Sequence, residues 1–111
     1  MSRTDLMRGT LDLLILRALM PGPNHGLGIA RRVEQITQGA FRVSPGSLFP
    51  ALHRLEQKGW LTAEWGRSET NRKAKYYELT SAGHRHADEE VRNWKRVSVA
   101  IELALRDVGE A

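Results

Sequence analysis

Hydrophobic residues recur at helical spacing in three segments of the first half of the chain. The first segment, about 10–20, is apolar almost all round, and Thr10 stands where a side chain can cap a helix. A helix of this kind is buried on several sides, so we expect it to contact a partner as well as its own domain. The second helix, about 25–37, has one apolar face, follows the turn-like stretch PGPNHG (21–26) and ends before Gly39.

The third segment, 43–60, carries a proline inside a helical pattern. Leu52 and Leu55 fall within about 40° of Leu48 on a helical wheel, and these three residues define the face towards the core. Ser44 suits the N-cap, Pro45 the first helical position and Gly59 the C-terminal cap. Pro50 lies on the opposite, polar face. Water can bond the carbonyl of Gly46 that it frees there, so the proline costs little.

After Gly59 the pattern changes from helical to alternating. The stretches WLTAEWG (60–66) and KAKYYEL (73–79) each place successive residues on opposite faces, as β-strands do. The polar and basic stretch GRSETNRK (66–73) joins them, which predicts a β-hairpin with a long tip. Thr80 can then cap a last helix, about 81–107.

The last helix contains a heptad pattern. Its members are spaced alternately by four and three positions: Ala87, Val91, Trp94, Ser98, Ile101, Leu105 and Val108. So long a helix has little of its own domain to cover. The pattern therefore favours packing on a second subunit over the alternative, in which the helix folds back on the first one. The predicted dimer interface comprises six residues of the first and last helices: Leu11, Ile15, Val91, Trp94, Ile101 and Leu105.

The order of the elements predicts a mainly α fold with a small β-hairpin, α-α-α-β-β-α. Three helices followed by a two-stranded wing form the winged helix-turn-helix. Its third helix enters the major groove of DNA, and its wing reaches the backbone or the minor groove. We assign 1–80 to this DNA-binding domain and 81–111 to a C-terminal dimerisation helix, the two forming one structural unit.

Composition excludes several other classes of protein. The 111 residues carry a net charge of +4 and no cysteine. The basic balance fits a polyanionic partner, and the lack of cysteine excludes disulfides and thiolate metal sites and fits a reducing compartment. No apolar run approaches the roughly 18 residues of a membrane span, and no signal-peptide cleavage pattern is present. We therefore expect a cytoplasmic protein with no membrane partner.

The outer face of the third helix and the hairpin tip carry groups that suit double-stranded DNA. The helix residues predicted to meet DNA are Ser44, Ser47, Phe49, Pro50, His53, Arg54 and Gln57. Arg54 can bond guanine or a phosphate and Gln57 can address adenine, while Pro50 with Ala51 offers an apolar surface for a thymine methyl. The predicted wing contacts to phosphates are Arg67, Arg72, Lys73 and Lys75.

Other functions are weighed against DNA binding. An enzyme is not indicated, because no nucleophile stands beside a base in a catalytic motif. His86 and Glu90 share a helix face near His84, but two ligands make no metal site, so neither a metal nor another cofactor is predicted. His25 is expected to make a turn or a structural hydrogen bond. The alternative is a winged-helix protein-interaction module without DNA binding, although such a module should have a more apolar contact face. RNA binding would favour more exposed stacking aromatics than Tyr76.

Three stretches, together and in this order, resemble PadR-type transcriptional regulators: GTLDLLILRALMPGPNHGLGIARRVEQ (9–35), VSPGSLFPALHRLEQKGWL (43–61) and EWGRSETNRKAKYYELTSAGHRH (64–86). The likeness runs from about Arg8 to about Leu105. Its most specific parts are the pair His25-Gly26, the run SLFPAL (47–52) and the run YELT (77–80).

The resemblance implies a dimeric winged-helix repressor that binds an inverted-repeat operator and is released by a small molecule or a stress signal. The single C-terminal helix is similar to that of the smaller members. The family usually has tyrosine where Phe49 stands and often where Leu27 stands, so a phosphate contact from a hydroxyl at position 49 is absent here. In some relatives a tryptophan of the last helix lines a ligand space between the subunits. Trp94 occupies the matching place, which implies a small aromatic effector there, beside the alternative that Trp94 is interface core.

Overall fold

The computed structural model describes residues 3–110, with side chains described for 9–106. Its elements in chain order are α1 (Arg3–Ala18), β1 (Asn24–His25), α2 (Gly26–Ile36), α3 (Pro45–Gln57), β2 (Leu61–Arg67), β3 (Lys73–Leu79) and α4 (Ser81–Glu110). The fold is mainly helical with a small antiparallel sheet and a long C-terminal helix, which confirms the predicted winged helix-turn-helix. Among residues 3–110, no helix is long and apolar enough to cross a membrane.

The start of α1 differs from the prediction. The helix begins at Arg3, so Thr10 lies inside it and the prediction that Thr10 caps it is wrong. Leucine, methionine and arginine precede Thr10, and all three are good helix formers that carry the helix upstream. At the other end of the chain, α4 extends three residues past the predicted end, to Glu110. Val108, the last member of the predicted heptad, lies outside the residues whose side chains are described.

The sheet has a third strand that the sequence pattern did not predict. The stretch 21–26 was predicted to be a turn, but Asn24 and His25 form β1, which pairs antiparallel with β3 in the order β1-β3-β2. Asn24 lies opposite Tyr77 and His25 lies opposite Tyr76. The wing is thereby joined directly to the start of α2, because His25 immediately precedes that helix.

Two of the predicted caps are confirmed. Gly59 follows α3 with a φ of 79°, a backbone conformation that L side chains rarely adopt, so the chain can leave the helix and enter β2. The Gly83 N–H donates to Thr80 Oγ1 over 2.9 Å, which satisfies one unpaired donor at the start of α4.

The core lies between the helices and one face of the sheet. Its fully buried members include Leu16, Ile29, Val33, Leu52, Leu55 and Leu61. Leu48, Leu52 and Leu55 all face inward, as the helical wheel predicts. Burying each such leucine contributes about 1.5–3 kcal/mol. This face therefore fixes α3 in rotation and decides which of its residues point outward.

Candidate nucleic-acid interface

The face of α3 that points away from the core is polar and exposed. The exposed residues at its start and along this face are Ser44, Ser47, Phe49, Pro50, His53 and Gln57. Ala51 is fully buried, so the prediction that it offers a surface beside Pro50 is wrong. Ala51 precedes Leu52, and its small side chain packs at the edge of the inward face. Six of the seven helix residues predicted to meet DNA are thus exposed.

The start of α3 lacks the side-chain cap that serine can provide. Ser44 is the N-cap residue, but its side chain makes no capping bond and its Oγ instead donates to Ser47 Oγ over 3.3 Å. Both residues are exposed. Pro45 has no N–H and the Ser47 N–H donates to the Ser44 carbonyl over 3.1 Å, so it is mainly the positive end of the helix dipole that suits this end to an anion such as a DNA phosphate.

Phe49 presents an exposed ring on this face and also joins α3 to α2. The side chain is 50% exposed. One edge of the ring lies so close to the backbone of Gly26 that an added Cβ there would be 2.8 Å from Phe49 Cε1. A glycine at position 26 is therefore needed for this approach. Leu27 follows on α2 and is 58% exposed.

Arg54 does not point freely outward. Its guanidinium Nη2 donates to Asp12 Oδ1 on α1 over 2.6 Å, and the two side chains are only 30% and 23% exposed. In this structure Arg54 therefore links α3 to α1, and its contact with a base or a phosphate stays a prediction. The sequence wheel missed this because the partner lies 42 residues away in the chain.

We expect Arg54→Ala to destabilise the fold. Removing the guanidinium leaves Asp12 without this charge-assisted bond, at a cost of about 1–2 kcal/mol, and should lower Tm by about 5–10 °C. Thermal unfolding by circular dichroism measures the change. Arg42→Ala is the matched control, because it breaks the exposed ion pair with Glu34 (3.3 Å) and should leave Tm nearly unchanged. Equal Tm values for Arg54→Ala and the wild type would contradict the structural role.

The wing cations occupy two different environments. Arg67, Arg72 and Lys73 are exposed around the hairpin tip. Lys75 instead lies 3.5 Å from Glu56 Oε1 on α3 and 5.6 Å from the ring of Tyr77, so it ties the sheet to the end of α3. The tip therefore presents a group of three cations, with Lys75 set back from it.

The wing turn, residues 68–72, has a defined backbone. The Ser68 N–H donates to the Arg72 carbonyl over 2.9 Å, and the Asn71 N–H donates to the Ser68 carbonyl over 2.9 Å. Asn71 has a φ of 59°, which asparagine tolerates better than most residues. Arg67 Nη1 donates to the Asn71 carbonyl over 3.3 Å. These bonds fold the turn back on itself and hold Arg72 at the tip, with Arg67 and Lys73 at the adjoining strand ends.

His25 is a structural residue of the interface whose role the sequence left open. It is 6% exposed and serves as the N-cap of α2, where its Nδ1 accepts the Gly28 N–H over 3.2 Å. Its Nε2 lies 3.4 Å from Glu69 Oε1 in the wing turn. The expectation of a structural hydrogen bond is thus confirmed. The partner Glu69, 44 residues further along the chain, was not predicted.

The carboxyl group of Glu69 is held in its charged form. Its own backbone N–H and then the His25 hydrogen bond lower its pKa below the usual value. The side chain is 72% exposed, so this is the behaviour of a surface carboxylate with good donors nearby. The wing turn therefore places one negative charge close in sequence to the three cations of the hairpin tip, Arg67, Arg72 and Lys73.

The first half of α4 packs on the domain, whereas most of the side chains described beyond Val91, up to position 106, are exposed. Ala87 is 1% exposed and belongs to the core, and Val91 is half-buried. Further along, Trp94, Ile101 and Leu105 are 53%, 52% and 66% exposed. The 30 residues of α4 span about 45 Å, and the molecule is 59 Å long against 28 and 26 Å across.

The residues predicted for a dimer interface divide between core and surface. Ile15 is fully buried within its own subunit, so its assignment to an interface is wrong. Leu11 is half-buried and packs against the same core. The heptad also missed three exposed apolar residues of α4: Val97, Val99 and Leu103. The exposed apolar surface of α4 therefore extends beyond the predicted seam.

His86 of α4 is held by packing. The ring of His86 stacks on Trp60 at 3.5 Å between centroids, and its Nε2 lies 3.8 Å from Glu90 Oε1. In the part of the chain that the structure describes, no group of three or more side chains is placed to hold a metal ion.

An exposed helix face beside a cationic wing, carried on this fold, defines a winged-helix DNA-binding protein. A family model described as the transcriptional regulator PadR-like family matches residues 15–89. The chain belongs to this family and is a DNA-binding transcriptional regulator. The family consists of regulators and not of enzymes, in agreement with the prediction. Because its members regulate transcription, membership favours DNA binding over the alternative of a protein-interaction module.

Individual relatives agree with this assignment. A protein of Lysinibacillus sphaericus is 33% identical over 105 residues, which cover 95% of this chain and 96% of the relative. The transcriptional regulator Rv3488 of Mycobacterium tuberculosis is 33% identical over 104 residues, 94% of this chain and 87% of the relative. A transcriptional regulator of Clostridium thermocellum has a similar solved structure, with a TM-score of 0.78, 26% identity and coverage of 88% and 95%. The solved structure of a PadR family regulator of Eggerthella lenta is also similar, with a TM-score of 0.75 and 27% identity, and the match covers 92% of this chain and 87% of the relative.

Proposed function

We propose that the protein is a homodimeric transcriptional repressor that binds an inverted-repeat operator. The observation that carries the proposal is the outward face of α3, where Ser47, His53 and Gln57 are exposed, together with the three exposed cations of the hairpin tip. Serine and glutamine side chains bond phosphates and base edges, and the wing cations attract phosphates without regard to sequence. We also propose that the protein acts in the cytoplasm, as expected for a member of a transcriptional regulator family.

The proposed base-reading residues are Ser47, Phe49, Pro50, His53 and Gln57. Gln57 can bond adenine, and the exposed rings of Phe49 and Pro50 can contact a thymine methyl. The missing N–H of Pro50 costs little at this position, because the residue is exposed and the carbonyl of Gly46 is near the start of the helix. The proposed phosphate contacts are Ser44 at the helix start and Arg67, Arg72 and Lys73 in the wing.

The proposed dimer forms through the exposed apolar part of α4. Trp94, Ile101 and Leu105 lie on the heptad seam and are all more than half exposed. In a symmetric dimer the exposed apolar surface of α4 from one subunit packs against the same surface of the other, so both become buried. Two recognition helices related by that symmetry read two half-sites of opposite direction, about one helical turn of DNA apart or a multiple of it.

Selection of bound sequences from a random pool of double-stranded DNA tests the proposal. We expect enrichment of a palindrome whose half-sites have this spacing, and repression of a reporter gene that carries it. Enrichment of single half-sites would contradict the dimeric mode, and a pool that stays random would contradict sequence-specific binding. Activation of the reporter would contradict the repressor role.

Release by an effector is the remaining part of the proposal. The side chain of Trp94 is 53% exposed on the seam, where a flat aromatic compound can stack against it between the subunits. We expect such a compound to quench tryptophan fluorescence in the wild type and to quench it far less in Trp94→Phe, which removes this residue's signal and leaves Trp60 and Trp65. A panel of flat aromatic compounds that changes neither protein would assign Trp94 to the interface core alone.

A further inference from the structure

A negative charge stands in the part of the wing proposed to meet DNA. Glu69 lies in the wing turn between Arg67 and Arg72, and its side chain is 72% exposed. A carboxylate near the phosphates weakens DNA binding through repulsion, and its ionised state is favoured by the local hydrogen bonds. Considered by charge alone, this residue opposes the function of the turn that carries it.

The contacts of Glu69 lead back to the start of α2. His25 Nδ1 accepts the Gly28 N–H over 3.2 Å, so in the neutral ring the proton is on Nε2. That nitrogen faces Glu69 Oε1 at 3.4 Å. The His25 backbone is itself fixed, since its N–H donates to Asn24 Oδ1 over 2.9 Å. One ring therefore caps a core helix with one nitrogen and holds the wing turn with the other.

Tyr76 makes a second link between the same elements. Its ring meets the His25 ring edge-on, with centroids 5.4 Å apart and planes at 90°. Its hydroxyl donates to the Arg67 carbonyl, at the end of β2, over 2.6 Å. The 3.4 Å separation of His25 and Glu69 is at the long end of hydrogen bonding, so the whole group of three side chains carries the connection.

The recognition helix is attached to the same point. The Phe49 ring of α3 lies against the backbone of Gly26, the residue after His25. The start of α2 therefore contacts α3 on one side, through Gly26, and the wing turn on the other, through His25. A rigid start of α2 fixes the distance between the two proposed DNA-contacting elements.

We propose that His25, Tyr76 and Glu69 form a wing clamp that positions the wing turn relative to α3, so that Glu69 promotes DNA binding in spite of its charge. Glu69 and His25 are positioning residues and make no DNA contact of their own. The inference rests on the proposed role of the wing in DNA binding. It gives Glu69 a function in DNA binding, although its negative charge alone would weaken that binding.

The sign of the effect of Glu69→Ala on DNA affinity tests the clamp. If the residue acts only as a charge, its removal tightens binding. If it acts through the clamp, removal weakens binding, by about threefold to tenfold, as expected when wing phosphate contacts are impaired and not lost. Glu69→Gln keeps an acceptor for His25 and should restore most of the affinity. Glu78→Ala is the matched control, since it removes an exposed glutamate of β3 outside the turn. Affinity that rises in Glu69→Ala would overturn the proposal.

A double-mutant cycle tests whether the two residues act together. His25→Asn keeps a good N-cap for α2, but the shorter side chain does not reach Glu69. We expect His25→Asn to weaken binding, and we expect Glu69→Ala to add little to it, because both break one connection. Fully additive losses would overturn the proposal. Glu69→Ala changes an exposed residue, so the sign test stands even where His25→Asn folds poorly.

A measurement without DNA separates the clamp from the proposed function. Backbone ¹⁵N relaxation should show higher mobility of the amides of 68–72 in Glu69→Ala than in the wild type, with the amides of α3 unchanged. Unchanged mobility of the wing turn would overturn the clamp while leaving the DNA-binding proposal intact. Increased mobility together with wild-type DNA affinity would instead remove the wing from DNA binding.

Discussion

Replacing Ile101 with aspartate is expected to convert the proposed dimer into monomers. Ile101 is an apolar residue, is 52% exposed and lies on the heptad seam of α4. In a symmetric dimer the substitution places two carboxylates at one contact, where each loses water and faces a like charge. The cost of several kcal/mol corresponds to an increase in the dissociation constant of at least about a thousandfold. Sedimentation equilibrium measures it directly.

Asn93→Asp is the matched control for Ile101→Asp. It adds the same charge to the same helix, but Asn93 is exposed and lies off the seam, where it accepts a bond from Arg96. We expect this variant to remain dimeric. An intact dimer of Ile101→Asp at micromolar concentration would contradict the seam. A monomer that still binds a full palindrome as tightly as the wild type would contradict the need for two joined recognition helices.

The features that sequence reasoning captured are those determined by short-range pattern. The inward face of α3 follows from the spacing of its leucines, and the same wheel places Pro50 outside. Gly59 and Thr80 mark the ends of elements because their local chemistry suits those positions. The alternating stretches give the hairpin, in which Leu61 pairs with Leu79 and Arg67 with Lys73.

The features that sequence reasoning missed depend on distant parts of the chain. The strand β1 has two residues, too few for any periodicity, and exists because β3 lies beside it. The bond between Arg54 and Asp12 joins residues 42 positions apart, so a wheel of α3 counted Arg54 as free. The capping role of His25 had a local signal, in its position directly before a helical segment. Its contact with Glu69 had none.

The error at Ile15 has a different cause. The first helix is apolar almost all round, and a wheel gives no preferred face for such a sequence. The structure resolves the ambiguity through packing, with Ile15 and Leu16 both fully buried and Leu11 half-buried. In α4 the seam residues are distinct because the domain ends near Val91 and leaves Trp94, Ile101 and Leu105 more than half exposed. The exposed part of α4, and not α1, therefore supplies most of the proposed interface.

Replacing Arg72 and Lys73 together with alanine is expected to weaken DNA binding broadly and to reduce its salt dependence. Both side chains are exposed at the hairpin tip. If each neutralises one phosphate, the slope of log K against log salt concentration becomes shallower by about 1.8 per wing, because each contact contributes about 0.9. At physiological salt we expect a loss of affinity of about tenfold to a hundredfold, similar for the selected operator and for random DNA.

The double variant Arg85→Ala, Arg92→Ala is the control for the loss of two charges. Both arginines are exposed on α4, away from the wing and off the heptad seam. If the effect were a general one of net charge, both double variants would lose DNA affinity equally. If the wing contacts phosphates, the double variant of Arg72 and Lys73 should lose far more affinity than the control. Fluorescence anisotropy at several salt concentrations separates the two cases. A slope identical to that of the wild type would remove Arg72 and Lys73 from the phosphate contacts and would leave Arg67 as the only proposed contact of the wing.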